Sequence, residues 1–210
     1  TTAVVAQNFE PFNVSENVAI PSQVETVDLN GDGLDDFIVA GIEKFYWFKN
    51  TGNSQFVKIS LLDSVQGFWH FALFDWENDG DIDIVNTNLD GSLTCWMNRG
   101  GGYMSKRTCG NIFAFAIELA DMNSDGFLDI VHGAHEFEGG PNSATGISYN
   151  NGRGSFGRTK RLTEIPAWGT VPELSVADLD GDGDQDIVLS RSRKLYVGTA
   201  IEIKENLGNG

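Results

Sequence analysis

Asp178-Leu179-Asp180-Gly181-Asp182-Gly183-Asp184-Gln185-Asp186 runs directly into Ile187-Val188-Leu189. Carboxylates stand at positions 1, 3, 5 and 9 of this loop, with a glycine at position 6. Oxygen side chains on alternate residues of a tight turn can converge on one hard cation. Ca²⁺ takes about six to eight oxygens, and a glycine lets the backbone fold around it. The carbonyl of position 7, here Asp184, is placed to add one more oxygen.

The pattern occurs three more times. Asp28, Asn30, Asp32 and Asp36 form the first loop, with the Leu34 carbonyl at position 7. Asp75, Glu77, Asp79 and Asp83 form the second, with the Asp81 carbonyl. Asp121, Asn123, Asp125 and Asp129 form the third, with the Phe127 carbonyl. The fourth is Asp178, Asp180, Asp182 and Asp186. The expectation is up to four Ca²⁺ ions with a structural role, held most tightly by the second and fourth loops, where all four side chains are carboxylates. An EF-hand begins in the same way but needs a bidentate Glu at position 12. Position 12 here is Val39, Asn86, His132 or Leu189, and the residues after each loop read as strand.

Charge agrees with this reading. Of the 30 acidic residues, 14 sit at positions 1, 3, 5 and 9 of the loops. Four bound Ca²⁺ would bring the formal charge from −16 to −8. The acidity excludes a general nucleic-acid binder, which needs a basic footprint. No apolar run approaches the ~18–20 residues of a membrane-spanning helix. The chain starts Thr1-Thr2-Ala3 and reads as a mature form or an excised fragment. Millimolar extracellular Ca²⁺ suits such loops, so a secreted location is expected. Cys95 and Cys109 flank the turn Gly100-Gly101-Gly102. A hairpin-spanning disulfide and two free buried thiols both remain open.

Each loop is preceded by period-2 alternation: Val24/Thr26, Phe71/Leu73, Ile117/Leu119 and Leu174/Val176. Such alternation marks a strand. A second strand follows each loop, then a third ending at Asn50, Asn98, Asn150 or Asn206. An aromatic residue (Phe56, Tyr103 or Phe156) opens a fourth. The unit is four antiparallel strands in roughly 50 residues, the size of a propeller blade. One all-β domain over residues 1–210 is expected, with repeats of approximately 9–55, 56–102, 103–155 and 156–210. The four blades form either a closed ring or part of a larger propeller. Closure by the N-terminal segment near Phe9–Val14 is one route to a ring.

The pattern Asp-x-Asp/Asn-x-Asp-Gly-x-x-Asp-Ile/Leu-Val, followed by Trp/Tyr-x-x-Asn-x-Gly, resembles the FG-GAP/VCBS repeat. That repeat is found in integrin α-subunit propellers, propeller lectins and secreted adhesion or polysaccharide-degrading proteins. The resemblance covers nearly the whole chain and implies an extracellular Ca²⁺-bearing β-propeller. Glu77 at position 3 and Ile203 in the fourth third-strand motif depart from the family pattern.

The expected function is a binding module, not an enzyme, taking a glycan or an extracellular protein partner. Self-association stays open. A polysaccharide lyase or hydrolase on the same scaffold, or a structural assembly module, are the alternatives. Gly-x-Ser-x-Gly and His-Glu-x-x-His are absent from the sequence. Trp47 and Trp96 read as recurring at one repeat position and as core. Trp69 and Trp168 lie ahead of first strands and are the candidates for stacking on a sugar ring. Arg191 and Arg193 belong to a basic cluster in the last repeat that could meet an acidic ligand. His132, His135, Glu136 and Glu138 in the third insertion read as solvated side chains.

Overall fold

The computed structural model describes residues 10–15, 17–41, 44–63, 68–133, 144–152, 155–157, 159–164, 169–193 and 199–208. These residues form fifteen strands and no helix. Blade 1 consists of β1 (Gln23–Val27), β2 (Asp36–Ala40), β3 (Lys44–Asn50) and β4 (Phe56–Asp63). Blade 2 is β5 (Phe68–Phe74), β6 (Asp83–Asn88), β7 (Ser92–Asn98) and β8 (Met104–Asn111). Blade 3 is β9 (Ala116–Ala120), β10 (Asp129–Gly133), β11 (Ala144–Ser148) and β12 (Lys160–Glu164). Blade 4 contributes β13 (Gly169–Ala177), β14 (Asp186–Arg193) and β15 (Thr199–Lys204). Every pairing is antiparallel between sequence neighbours, the arrangement of a four-bladed β-propeller. No helix is long and apolar enough to cross a membrane.

The sheets divide the chain differently from the sequence repeats. The strand opened by Phe56 or by the residue after Tyr103 is the outer strand of the preceding blade. A repeat boundary drawn at the aromatic therefore cuts through a sheet. Of the proposed closing segment, Phe9 lies outside the described residues. Residues 10–14 form no strand, and Phe12 is exposed.

The core lies between blades, because a propeller sheet buries both faces. We call the face toward the next blade in the chain forward and the opposite face rear. Among the described residues, three apolar clusters fill the junctions between consecutive blades. Leu29, Ile38 and Trp47 of blade 1 meet Phe71, Ile84 and Trp96 of blade 2. Trp76, Val85 and Cys95 meet Ile117 and Ile130. Met122, Val131 and Ile147 meet Leu174 and Ile187. Strand period sets this division: Ile38, Val85 and Val131 point forward, whereas Ile84, Ile130 and Ile187, each one residue after a position-9 Asp, point to the rear.

The same register corrects the expectation for the tryptophans. Trp47 pairs with Ile38, whereas Trp96 pairs with Ile84, the place that Phe48 takes opposite Phe37 in blade 1. Trp47 therefore faces forward and Trp96 faces back. Both are core residues, but they occupy different repeat positions. Trp47 lies against Gly102 of blade 2, whose φ is +84°. A Cβ there would come within 2.8 Å of the indole ring, so only glycine fits.

Candidate metal centres and a candidate binding cleft

The four loops are built alike. Position 6 has a left-handed backbone in each: Gly33, Gly80, Gly126 and Gly183 have φ between +84° and +97°. Position 4 is left-handed too, at Gly31, Asn78, Ser124 and Gly181. The Asp at position 1 accepts N–H bonds across the loop. Gly33 N, Gly80 N, Gly126 N and Gly183 N donate to Asp28, Asp75, Asp121 and Asp178 at 2.7–3.1 Å. In the first loop, N–H donors led by Gly33, with Asp32 and Gly31, hold the Asp28 carboxyl below the usual carboxylate range.

Position 9 behaves differently. Asp36, Asp83, Asp129 and Asp186 are buried. One oxygen of each accepts the N–H of position 2, from Leu29, Trp76, Met122 or Leu179. The other accepts the N–H of the asparagine that ends the third strand, Asn50 or Asn98, or that follows it by two residues, Asn150 or Asn206. Each carboxylate thus ties its loop to the third strand of its own blade. Burial outweighs those donors at Asp83 and Asp129 and pushes both pKa values up to about 6. A bound cation acts in the opposite sense, because it favours the ionised form.

The loops differ in how far their ligand atoms converge. Asp178, Asp180 and Asp186 each bring a carboxylate oxygen within 4.8 Å of the other two. An all-oxygen set of this kind fits a hard cation such as Ca²⁺. It is the one such trio among the described residues. In the first loop, Lys49 Nζ lies 3.5 Å from Asp32 Oδ2, and the Asn30 amide donates to Asp36. In the second, Glu77 turns to Arg99, which donates to both carboxylate oxygens at 2.8–2.9 Å. The side chain longer than the family pattern is therefore the one drawn out of its loop. This ranks the fourth loop above the second, where sequence alone ranked them together. In the third loop Asn123 Oδ1 accepts from Asp125 N. At position 7, the N–H groups of Leu34, Asp81, Phe127 and Asp184 donate to the position-5 carboxylates.

Cys95 on β7 and Cys109 on β8 are joined as a disulfide, with Cα atoms 5.8 Å apart. Of the residues proposed for ligand contact, Trp168 lies outside the described residues. Trp69 lies on β5 and Arg193 ends β14. Arg191 is only 13% exposed and pairs with Glu202 on the adjacent strand at 3.2 Å. That guanidinium is engaged within its own blade. His135, Glu136 and Glu138 also lie outside the described residues.

His132 is not solvated as expected. It sits on β10 at 3% exposure, and neither ring nitrogen has a hydrogen-bond partner among the described residues. It lines a cavity of about 330 Å³ between blades 2 and 3, together with Asp90, Asn111, Phe113, Thr159 and Arg161. The space continues into a wider groove of about 730 Å³ that shares Asn111, Thr159 and Arg161. Asp90 is held by Ser92, whose N–H and hydroxyl donate to Oδ1 at 2.8 and 2.6 Å. These bonds, the hydroxyl first, keep its carboxyl below the usual range. The cleft opens at the β6–β7 turn, the strand ends opposite the acidic loops. Local sequence patterns do not reveal it because its walls come from four separate segments: the β6–β7 turn, the end of β8, β10 and the start of β12. The signal available was His132 in a strand position that otherwise carries Val, Asn or Leu.

Burial depresses the His132 pKa to about 4. The folded state therefore favours the neutral imidazole. Its contribution is fully present above pH ~6.5 and is lost as pH falls toward 4, by about 3 kcal/mol in all. Asp83 and Asp129 move the other way, since a raised carboxyl pKa adds stability as pH falls through 6. The readout is thus a difference. Urea unfolding of wild type and His132→Leu should diverge by about 3 kcal/mol between pH 7.5 and pH 4, with the variant gaining. Parallel pH profiles would contradict this burial.

A model of the FG-GAP-like repeat family matches residues 28–86 and 75–132. No curated protein matches the sequence. Among solved structures, an Agrocybe aegerita lectin, solved for its specific recognition of non-reducing terminal N-acetylglucosamine, superposes with a TM-score of 0.62. Its sequence is 22% identical, and the match covers 95% of this chain and 58% of the lectin. The V. cholerae biofilm matrix protein Bap1 matches with a TM-score of 0.43 and 23% identity, over 91% of this chain and 38% of Bap1. This chain therefore spans less than two thirds of the length of either structure. The family match extends across half of the chain and its loops fall on the first three blade corners; the chain belongs to the FG-GAP-like repeat family.

Proposed function

We propose that this chain is an extracellular, Ca²⁺-stabilised glycan-binding module whose site is the cleft between blades 2 and 3. The observation that carries the reading is the composition of that cleft. A carboxylate, an amide, a hydroxyl and a guanidinium line it together with one aromatic ring and a buried imidazole that has no hydrogen-bond partner among the described residues. Sugars present hydroxyl pairs that such groups bracket and an apolar ring face that stacks on an aromatic side chain. The lectin that shares this fold supports the choice of glycan over other small ligands only by analogy.

The acidic loops supply stability at the far end of the blades, with Ca²⁺ held by Asp178, Asp180, Asp182 and Asp186 and by the equivalent residues of the other loops. The Cys95–Cys109 disulfide and the oxygen-rich loops both suit an extracellular setting. Calorimetric titration with an N-acetylglucosamine-terminated oligosaccharide, after a glycan array, tests the site. Asp90→Ala and Asn111→Ala should each weaken binding by about tenfold or more. Both residues are at the surface, so folding should survive. Undiminished binding in both variants would remove the cleft from consideration, and an array without a hit would remove the glycan.

A further inference from the structure

Blade 2 buries a row of polar side chains where blades 1 and 4 bury hydrocarbon. Asn86 stands at the strand position that Val39 holds in blade 1 and Leu189 in blade 4, and it is 0% exposed. Asn88, two residues on, and Thr94, which pairs with Asn86 on β7, are buried as well. Buried amides cost free energy unless their groups are hydrogen-bonded. Here they are bonded to one another, and the bonds have a direction.

Trp96 sets that direction. An indole N–H can only donate, so Asn86 must turn its oxygen to it, at 2.7 Å. The Asn86 amide nitrogen then faces Asn88 Oδ1 at 2.8 Å. The Asn88 nitrogen is left to face β7. It donates to Thr94 Oγ1 at 2.8 Å, Ser92 Oγ at 2.9 Å and Ser92 O at 3.1 Å. Ser92 Oγ accepts from Asn88 and donates its own hydrogen to Asp90 Oδ1 at 2.6 Å, beside the Ser92 N–H at 2.8 Å. The row from Trp96 through Asn86, Asn88 and Ser92 therefore donates step by step toward Asp90. A carboxylate gripped by one oxygen can offer the other to a ligand.

Asn88 also closes the turn that carries Asp90. Its carbonyl accepts Gly91 N at 3.0 Å. Gly91, at φ +81°, lies against Phe113, and a Cβ there would meet that ring at 3.3 Å. One buried residue thus holds both the carboxylate and the seat of the aromatic ring that line the cleft. The row itself lies on the rear face, by the two-residue strand period, so it reaches the cleft only through this turn.

We propose that Asn88, oriented through Asn86 by the Trp96 indole, is the positioning residue for the Asp90 carboxylate of the cleft. The use made of that carboxylate rests on the glycan-binding reading, whereas its positioning does not. Hydrogen bonds in a chain polarise one another, so the last bond, from Ser92 to Asp90, is strengthened by those behind it. The lowered carboxyl pKa of Asp90, owed first to the Ser92 hydroxyl, agrees with this.

The test follows the Asp90 carboxyl by NMR titration in wild type, Ser92→Ala, Asn88→Ala and Trp96→Phe, without ligand. His132 and Arg161 line the same cleft and are unchanged throughout, so the differences between variants isolate the row. The Asp90 pKa should rise in Ser92→Ala, and rise by a smaller step in Asn88→Ala and Trp96→Phe. Trp96→Phe keeps an aromatic ring in the core and removes the donor, so it gives the answer even if Asn88→Ala does not fold. A row that serves packing alone would cost stability and leave Asp90 titrating as in wild type. That outcome in Asn88→Ala and Trp96→Phe overturns the proposal. In calorimetric titration, Asn88→Ala should weaken glycan binding by about three- to tenfold, the worth of about one hydrogen bond. Shifted Asp90 titrations in a protein that binds no glycan would support the positioning role and remove the glycan. Unshifted titrations in a protein that binds glycan would do the reverse.

Discussion

Asp36→Ala should lose about 4 kcal/mol of unfolding free energy in the presence of chelator, or fail to fold. Asp36 Oδ2 accepts from Leu29 N at 3.3 Å and from the Trp47 indole N–H at 2.8 Å, and Oδ1 accepts from Asn50 N at 2.7 Å. The carboxylate is 1% exposed. Truncation leaves two buried donors, Leu29 N and the Trp47 indole, and two part-buried ones, Asn50 N and the Asn30 amide, without this acceptor. Each costs about 1–3 kcal/mol, and part is recovered because a charge no longer has to be buried. Asp32→Ala is the control. Asp32 is at the surface beside Lys49, and an exposed pair of that kind is worth well under about 1 kcal/mol. Chelator keeps any ligand role of Asp36 out of the measurement. Denaturant midpoints for Asp36→Ala and Asp32→Ala that differ by less than about 1 kcal/mol would show that position 9 matters only through metal.

Addition of Ca²⁺ to chelator-treated protein should raise the melting temperature by about 10–20 °C. A ligand that binds only the folded state adds about 2.7 kcal/mol per site at a hundredfold excess over Kd. Two sites filled to that degree then add about 5 kcal/mol, and each kcal/mol moves the midpoint of a domain this size by about 2–4 °C. Clustered carboxylates that repel one another without metal make the linkage stronger. The loops should not contribute equally. Asp178, Asp180 and Asp186 already converge, so Asp180→Ala should remove more of the shift than Glu77→Ala, since Glu77 is held by Arg99. An unchanged melting temperature with Ca²⁺ would defeat the metal reading of all four loops.

Much of the fold was legible without coordinates. Positions 1, 3, 5, 6 and 9 of the loops recur in register, and the period-2 runs beside them place two strands of every blade. Both signals are local: they depend on residues within about ten positions of one another. The cleft is not legible in this way. Trp69 and Trp168 stand out in the sequence because they precede first strands, whereas the cleft is lined by Asp90, Phe113 and Arg161 from two different blades and shows no local pattern. His132 read as solvated because a Gly-rich insertion follows it, yet its strand position buries it completely.

Sequence alone determined the blade: its acidic corner, its strand period and its Asn-terminated third strand, all of which follow from local turn and strand chemistry. Tertiary structure decided everything that depends on the neighbouring blade. It made the position-9 carboxylate a buried clamp as well as a candidate ligand, and it set Trp47 and Trp96 on opposite faces. It also left Leu179, Ile201 and Ile203 exposed at positions that are buried in every preceding repeat. The physical reason is that a residue's burial is a property of what packs against it. Identical positions in consecutive repeats differ only in whether another blade stands beside them.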